Sequence, residues 1–165
     1  MTRRHSIIVA ILALALAASL FAQSASQGSV TVIHHAKGAF DIKMTPMPAD
    51  DYADGKALGR VAADKQYHGD LEGSGKGQML TATGEVKGSA VYVATERFSG
   101  KLGGRSGTFL LAHRGVMNRG AQQLEIDVVP DSGTDELQGI AGKVSINITP
   151  DGKHFYDFEY TLPSK

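Results

Sequence analysis

The stretch Phe98-Ser99-Gly100-Lys101-Leu102-Gly103-Gly104-Arg105-Ser106-Gly107-Thr108-Phe109-Leu110-Leu111-Ala112-His113-Arg114-Gly115 decides the fold. Two alternating runs flank a Gly-Gly pair, and a two-residue hairpin connection needs the positive φ that glycine adopts without steric cost. With Gly103-Gly104 as the turn, Phe98 lies opposite Phe109, Glu96 opposite Leu111 and Ala94 opposite His113. Side chains alternate between the faces of a strand. Tyr92, Ala94, Glu96 and Phe98 therefore share one face with Phe109, Leu111 and His113. That face is apolar except for Glu96 and His113, which are diagonal neighbours about 7–8 Å apart.

The same period of two recurs outward along the chain, in Phe40-Ile42-Met44, Leu124-Ile126-Val128, Val144-Ile146-Ile148 and Tyr156-Phe158-Tyr160-Leu162. Each is the mark of a strand with one buried face. The spacing predicts eight strands, at 36–46, 57–68, 76–84, 89–100, 105–115, 121–130, 137–149 and 153–162, with no stretch of helical periodicity after the N-terminal segment. The 20 glycines act as punctuation between them. Short strands at regular spacing with turns between them predict an antiparallel sandwich or barrel. A weak internal echo favours an up-and-down order: Tyr67-His68-Gly69-Asp70-Leu71-Glu72-Gly73 recurs as Phe98-Ser99-Gly100-Lys101-Leu102-Gly103-Gly104, both read as ending a strand alike. A partial third copy is Leu137-Gln138-Gly139-Ile140-Ala141-Gly142. Pro46 to Lys56, with two prolines and Asp50-Asp51-Tyr52-Ala53-Asp54-Gly55, reads as a polar loop near a barrel mouth.

The first residues read as an export signal. Arg3 and Arg4 precede an uncharged run from Ile7 to Phe21, and small residues follow at Ala22, Ser24, Ala25 and Ser26. That is the basic, apolar and small-residue order of a cleaved secretory signal. The run is shorter than the roughly 20 residues of a spanning helix, so no stable membrane insertion is expected after cleavage. The expected division is a signal peptide at 1–24, a flexible segment at 25–35 and one barrel domain at 36–165. The expected location is periplasmic or secreted. Lys and Arg number 17 and Asp and Glu 17, a balance without the basic clustering of a nucleic-acid surface. Without cysteine the chain has no disulfide, thiol nucleophile or thiolate metal site.

Glu96 is the residue that most needs an explanation, because a carboxylate in an apolar interior is costly unless it is paired or neutral. Glu96 and His113 are the candidate catalytic groups, with burial raising the Glu96 pKa and His113 lowering it. The alternative is a buried polar pair serving structure alone. Tyr92, Glu96, Phe98, Phe109, Leu111, His113 and Tyr67 are the candidate ligand-lining residues. Tyr156 and Tyr160 are further hydroxyls, although buried tyrosines commonly anchor a core. His34 and His35 are adjacent and point to opposite faces, so they cannot readily chelate one ion; they read as surface histidines. His68 and His154 are isolated. No metal site or cofactor is expected. Gly73-Ser74-Gly75-Lys76-Gly77 lacks the spacing of a phosphate loop and reads as a flexible hairpin tip. Gly104-Arg105-Ser106-Gly107-Thr108 fails as a nucleophile elbow. Asn147-Ile148-Thr149 reads as ordinary strand despite matching a glycosylation acceptor.

On these residues the chain from Gly38 to Pro163 resembles an uncharacterised bacterial family of small proteins with the allene oxide cyclase barrel fold. The marks are Gly38-Ala39-Phe40-Asp41-Ile42, Gly69-Asp70-Leu71-Glu72-Gly73, Glu96-Arg97-Phe98 before Leu102-Gly103-Gly104-Arg105-Ser106-Gly107, Phe109 with His113, and Val128-Val129-Pro130-Asp131-Ser132-Gly133-Thr134-Asp135-Glu136-Leu137. The sequence departs from the family pattern at Asp135, where glycine is usual, and in its N-terminal signal. The resemblance implies an eight-stranded antiparallel barrel, in agreement with the strand count, and a homo-oligomer whose interface no residue marks. It supplies a fold and no reaction. An eight-stranded barrel is either filled by side chains or just wide enough for one small ligand. The leading expectation is an exported, non-catalytic binder of a small apolar or amphipathic molecule. The alternatives are a cyclase or isomerase acting on a lipid-like substrate, and a structural barrel with a filled core.

Overall fold

The computed structural model describes residues 32–48 and 57–163. The signal segment, most of the 25–35 segment and the greater part of the Pro46–Lys56 loop lie outside them. Eight antiparallel strands run in chain order: β1 (His34–Met47), β2 (Leu58–Gly69), β3 (Leu71–Thr83), β4 (Ala90–Leu102), β5 (Arg105–Asn118), β6 (Ala121–Val128), β7 (Ala141–Ile148) and β8 (His154–Thr161). Each pairs with the next and β8 pairs with β1, closing an up-and-down barrel. Closure leaves no free sheet edge, which is the usual reason for an all-antiparallel chain to form a barrel. The β4–β5 register places Phe98 against Phe109, Glu96 against Leu111 and Ala94 against His113, as the Gly103-Gly104 turn requires. Both turn glycines have positive φ, 54° and 83°.

One half of the barrel is solid. Phe98, Phe109, Phe158, Leu102, Leu137 and Ile140 are fully buried. The rings of Tyr67, Phe98, Phe109 and Phe158 form a continuous contact chain, with centroid distances of 5.6 Å for Tyr67–Phe98, 4.9 Å for Phe98–Phe109 and 5.6 Å for Phe109–Phe158. The connection between β6 and β7 completes this half. It runs beside β5 through backbone bonds Val129 N to Leu110 O (2.9 Å) and Thr134 N to Thr108 O (2.9 Å). It then turns through a single 3-10 turn at Asp135–Leu137. Asp135 has φ 51°, the left-handed region that favours glycine and that Asp tolerates better than most residues, which accounts for the departure from the family pattern there.

The structure moves several boundaries read from the sequence. The seventh strand begins at Ala141 rather than 137, because Leu137 and Ile140 are both buried at the three-residue spacing of a helical turn and not at alternation. The sixth ends at Val128. The first begins at His34, so His34 and His35 are strand residues: His34 stacks on Tyr160 at 5.3 Å and His35 Nδ1 meets Asp157 Oδ1 at 3.0 Å. It also runs through Pro46, which pairs with Val61. The Gly73–Gly77 stretch is no hairpin tip but the body of β3. The echo is not closed alike in its two copies. The chain turns after Gly69 in the first and continues to Leu102 in the second, where Gly103-Gly104 replaces Glu72-Gly73 and makes the later turn the cheaper one.

Candidate functional site

Inward positions on β2, β4 and β5 bring Lys65, Tyr67, Glu96 and His113 together at mid-barrel. All four are buried, with relative exposures of 8%, 3%, 4% and 9%. Lys65 Nζ donates to Glu96 Oε2 at 2.7 Å, and the Tyr67 hydroxyl donates to Glu96 Oε1 at 2.7 Å. Lys65 Nζ also lies 3.3 Å from the Tyr67 hydroxyl and 4.8 Å from the centre of the Phe40 ring. His113 Nε2 is 3.2 Å from Glu96 Oε2. It sits off line, and is left without a hydrogen bond although buried.

The glycines of β3 make this arrangement fit. Gly75 pairs with Lys65 on one side and Phe98 on the other. With no side chain there, the groups of β2 and β4 meet across the bare β3 backbone. A Cβ at Gly75 would fall on Glu96 Oε1 and lie 3.0 Å from Tyr67 Cε2.

Burial would push the Glu96 carboxyl up. The His113 contact, the Lys65 charge and hydrogen bond, and the Tyr67 hydroxyl outweigh it and hold the group down at about 2. Glu96 is thus ionised across the neutral range with both oxygens engaged. Burial, and next the neighbouring Glu96 charge, push the Tyr67 hydroxyl well above the usual tyrosine range. Burial also raises Tyr92.

Beyond these four groups, toward the β7–β8 turn, the barrel is open. A cavity of about 180 Å³ is lined by Phe40, Ile42, Met79, Tyr92 and Ile146, with Lys65, Glu96 and His113 among its walls. Its rim carries apolar side chains on inward positions that remain exposed: Met44, Leu124 and Ile148. The interior is therefore a mainly apolar well with the buried ionic group in its floor and His154 in its wall. A wider depression of about 800 Å³ involves Leu80 and Val93, which point outward, together with Met79 and His113, which point inward. The wider depression spreads over the outer face of β3 and β4, whereas all but Gln78 and Thr95 of the residues lining the smaller cavity occupy inward positions, so the smaller cavity is the internal site. Among the described residues no cluster of three or more His, Cys, Asp or Glu could hold a metal ion.

The structure brings some of the candidate ligand-lining residues to the cavity and places others in the packed core. Tyr92, Glu96 and His113 border the cavity. Phe98, Phe109 and Leu111 belong to the packed core, and Tyr67 is also a core residue whose hydroxyl is taken up by Glu96. Sequence reasoning missed Lys65, although its parity was legible: Val61, Ala63, Lys65 and Tyr67 alternate onto the inward face, where a lysine is as costly as a glutamate. It also missed Phe40, Met79, Ile146 and His154 as cavity wall.

The profile of a family described as "Protein of unknown function (DUF3224)" matches residues 36–160. The chain belongs to the DUF3224 family. A solved structure with the same barrel, described as a protein of unknown function from the DUF3224 family of Shewanella oneidensis MR-1, is 44% identical over 81% of this chain and 100% of that one, with a TM-score of 0.74. A comparison with the curated proteins finds no match. DUF3224 membership thus fixes the barrel and assigns no reaction, so the function has to be argued from the well itself.

Proposed function

We propose that this DUF3224 protein is an exported, non-catalytic barrel that binds a small apolar or amphipathic molecule in the well above Lys65 and Glu96. The observation that carries this reading is the division of the interior: packed aromatics fill one half, and a mainly apolar cavity with the Lys65–Glu96–His113 group in its wall occupies the other. Binding sites are commonly apolar pockets with a few convergent polar groups. The size fits a small guest, since an apolar cavity of about 150 Å³ takes up benzene. Export rests on the N-terminal sequence, Arg3-Arg4 followed by the apolar run to Phe21.

A cyclase or isomerase would need a group able to move a proton near neutral pH. Glu96, held at about 2 with both oxygens engaged, is a poor base, which weighs against its catalytic role. A wholly filled structural barrel is disfavoured by the cavity.

Native mass spectrometry of the protein collected after export tests the proposal, with Glu96→Gln alongside. A bound small molecule in both supports a binding barrel. Trapping only in the variant would point to turnover, and an empty barrel in both would favour the structural alternative.

A further inference from the structure

The floor of the well holds more hydrogen-bond donors than its acceptors take up. Lys65 carries three N–H groups, Tyr67 one O–H and the His113 ring at least one N–H. Lys65 uses two of them, on Glu96 Oε2 and the Tyr67 hydroxyl oxygen, and Tyr67 uses its own on Glu96 Oε1. The third Lys65 N–H has only the aromatic faces of Phe40 and Tyr67 nearby. His113 Nε2 stands 3.2 Å from the ionised Glu96 Oε2. A bare lone pair would be repelled at that distance, so this nitrogen carries its hydrogen. The approach is off line, and the buried N–H is left without a partner, a state that costs free energy until an acceptor meets it. Lys65 and His113 both border the cavity. Tyr92 and His154, also in its wall, are only half-buried and keep access to water.

We infer that the well takes a small neutral molecule with a carbonyl oxygen, a ketone, ester or lactone, which accepts from both Lys65 Nζ and His113 Nε2. This rests on the binding reading above and adds the chemistry of the guest to it. Both nitrogens lie against the same carboxylate oxygen, at 2.7 and 3.2 Å, so one acceptor atom at ordinary hydrogen-bond length can reach the two. A carbonyl oxygen offers two lone pairs and brings no hydrogen of its own. A hydroxyl would accept as well, but it adds a donor where both Glu96 oxygens are already engaged. A hydrocarbon leaves both N–H groups unmatched. A carboxylate would lose its water beside the Glu96 charge, and the Lys65 charge that could repay it is already offset. The carbon skeleton lies among Phe40, Ile42, Met79 and Ile146, and a cavity of about 180 Å³ restricts it to a single ring or its equivalent.

Calorimetric titration of the purified protein with cyclohexanone, methylenecyclohexane, cyclohexanol and cyclohexanecarboxylate tests this. The first two share a shape and differ in the acceptor atom, and the others change the head group. Cyclohexanone is expected to bind about tenfold tighter than methylenecyclohexane and tighter than cyclohexanol, with no measurable binding of the carboxylate. The infrared carbonyl stretch of bound cyclohexanone is expected at lower wavenumber than in an alkane. His113→Leu is expected to move the stretch back up and to remove most of the preference, while methylenecyclohexane still binds. Cyclohexanone no tighter than methylenecyclohexane, a preference for cyclohexanol or the carboxylate, or an unshifted stretch would overturn the carbonyl assignment and leave the binding barrel standing. Failure of both cyclohexanone and methylenecyclohexane to bind would overturn the binding reading as well. The comparison of probes on the unmodified protein decides the matter even if the variant does not fold.

Discussion

Glu96 is tolerated in an apolar barrel because every one of its contacts favours the charged form. Lys65 supplies the opposite charge at 2.7 Å and Tyr67 a hydroxyl at 2.7 Å. Removing one partner of such a pair strands the other, which typically costs about 3–5 kcal/mol. Glu96→Gln and Lys65→Met are each expected to destabilise the protein by that order, measured by urea denaturation. The double variant Lys65→Met with Glu96→Leu is expected to recover most of the loss, since the apolar pair leaves no orphaned charge. The same contacts make a prediction in acid. The Glu96 carboxyl is depressed from 4.5 to about 2, so the stability it contributes is fully present above about pH 4.5. It is lost as the pH falls toward 2. The difference corresponds to roughly 3 kcal/mol. Denaturant midpoints between pH 6 and pH 2 should fall more steeply for the native protein than for the double variant, and parallel curves would count against the assignment.

Among the strands, β3 has the least side chain and the strictest requirement. Gly75→Ala puts a methyl where Glu96 Oε1 and the Tyr67 ring already stand, and overpacking of this kind costs about 1–3 kcal/mol. Gly104→Ala meets no atom within 4 Å, so only the strain of its φ of 83° remains, about 1 kcal/mol. Thermal denaturation of the two variants should rank Gly75→Ala as the more damaging. The weakest junction of the barrel is between β6 and β7, which share one residue pair, Asp127 with Lys143. β4 and β5 pair along their full lengths. Hydrogen exchange is therefore expected to be fastest, among the strands, at the β6 and β7 amides that face each other above that pair.

The strands themselves were legible because alternation and glycine turns are local signals, and the hairpin at Gly103-Gly104 was readable to the register. The β3 boundary was not, because Gly73, Gly75 and Gly77 look like a turn when read locally. They are strand residues on account of side chains from β2 and β4, which sequence order does not bring together. Lys65 escaped notice for the same reason: its partner lies on a strand that is not its neighbour. Leu137 and Ile140 fall within the seventh strand that the sequence predicts at 137–149, whereas their three-residue spacing suits the 3-10 turn that plugs the core.

Taken as a whole molecule, the protein divides an eight-stranded barrel into a filled half and an open half, with the Lys65–Glu96–Tyr67–His113 group as the floor between them. Binding depends on that division, because a barrel filled throughout would have no room for a guest and its polar group would serve folding alone. Xenon enters apolar cavities of this size without needing a head group. Crystals pressurised with xenon test the division most directly. A divided barrel takes up xenon inside it, at a site bounded by Phe40, Met79 and Ile146. A barrel interior without xenon, or sites confined to the outward-facing Leu80 and Val93, would contradict it.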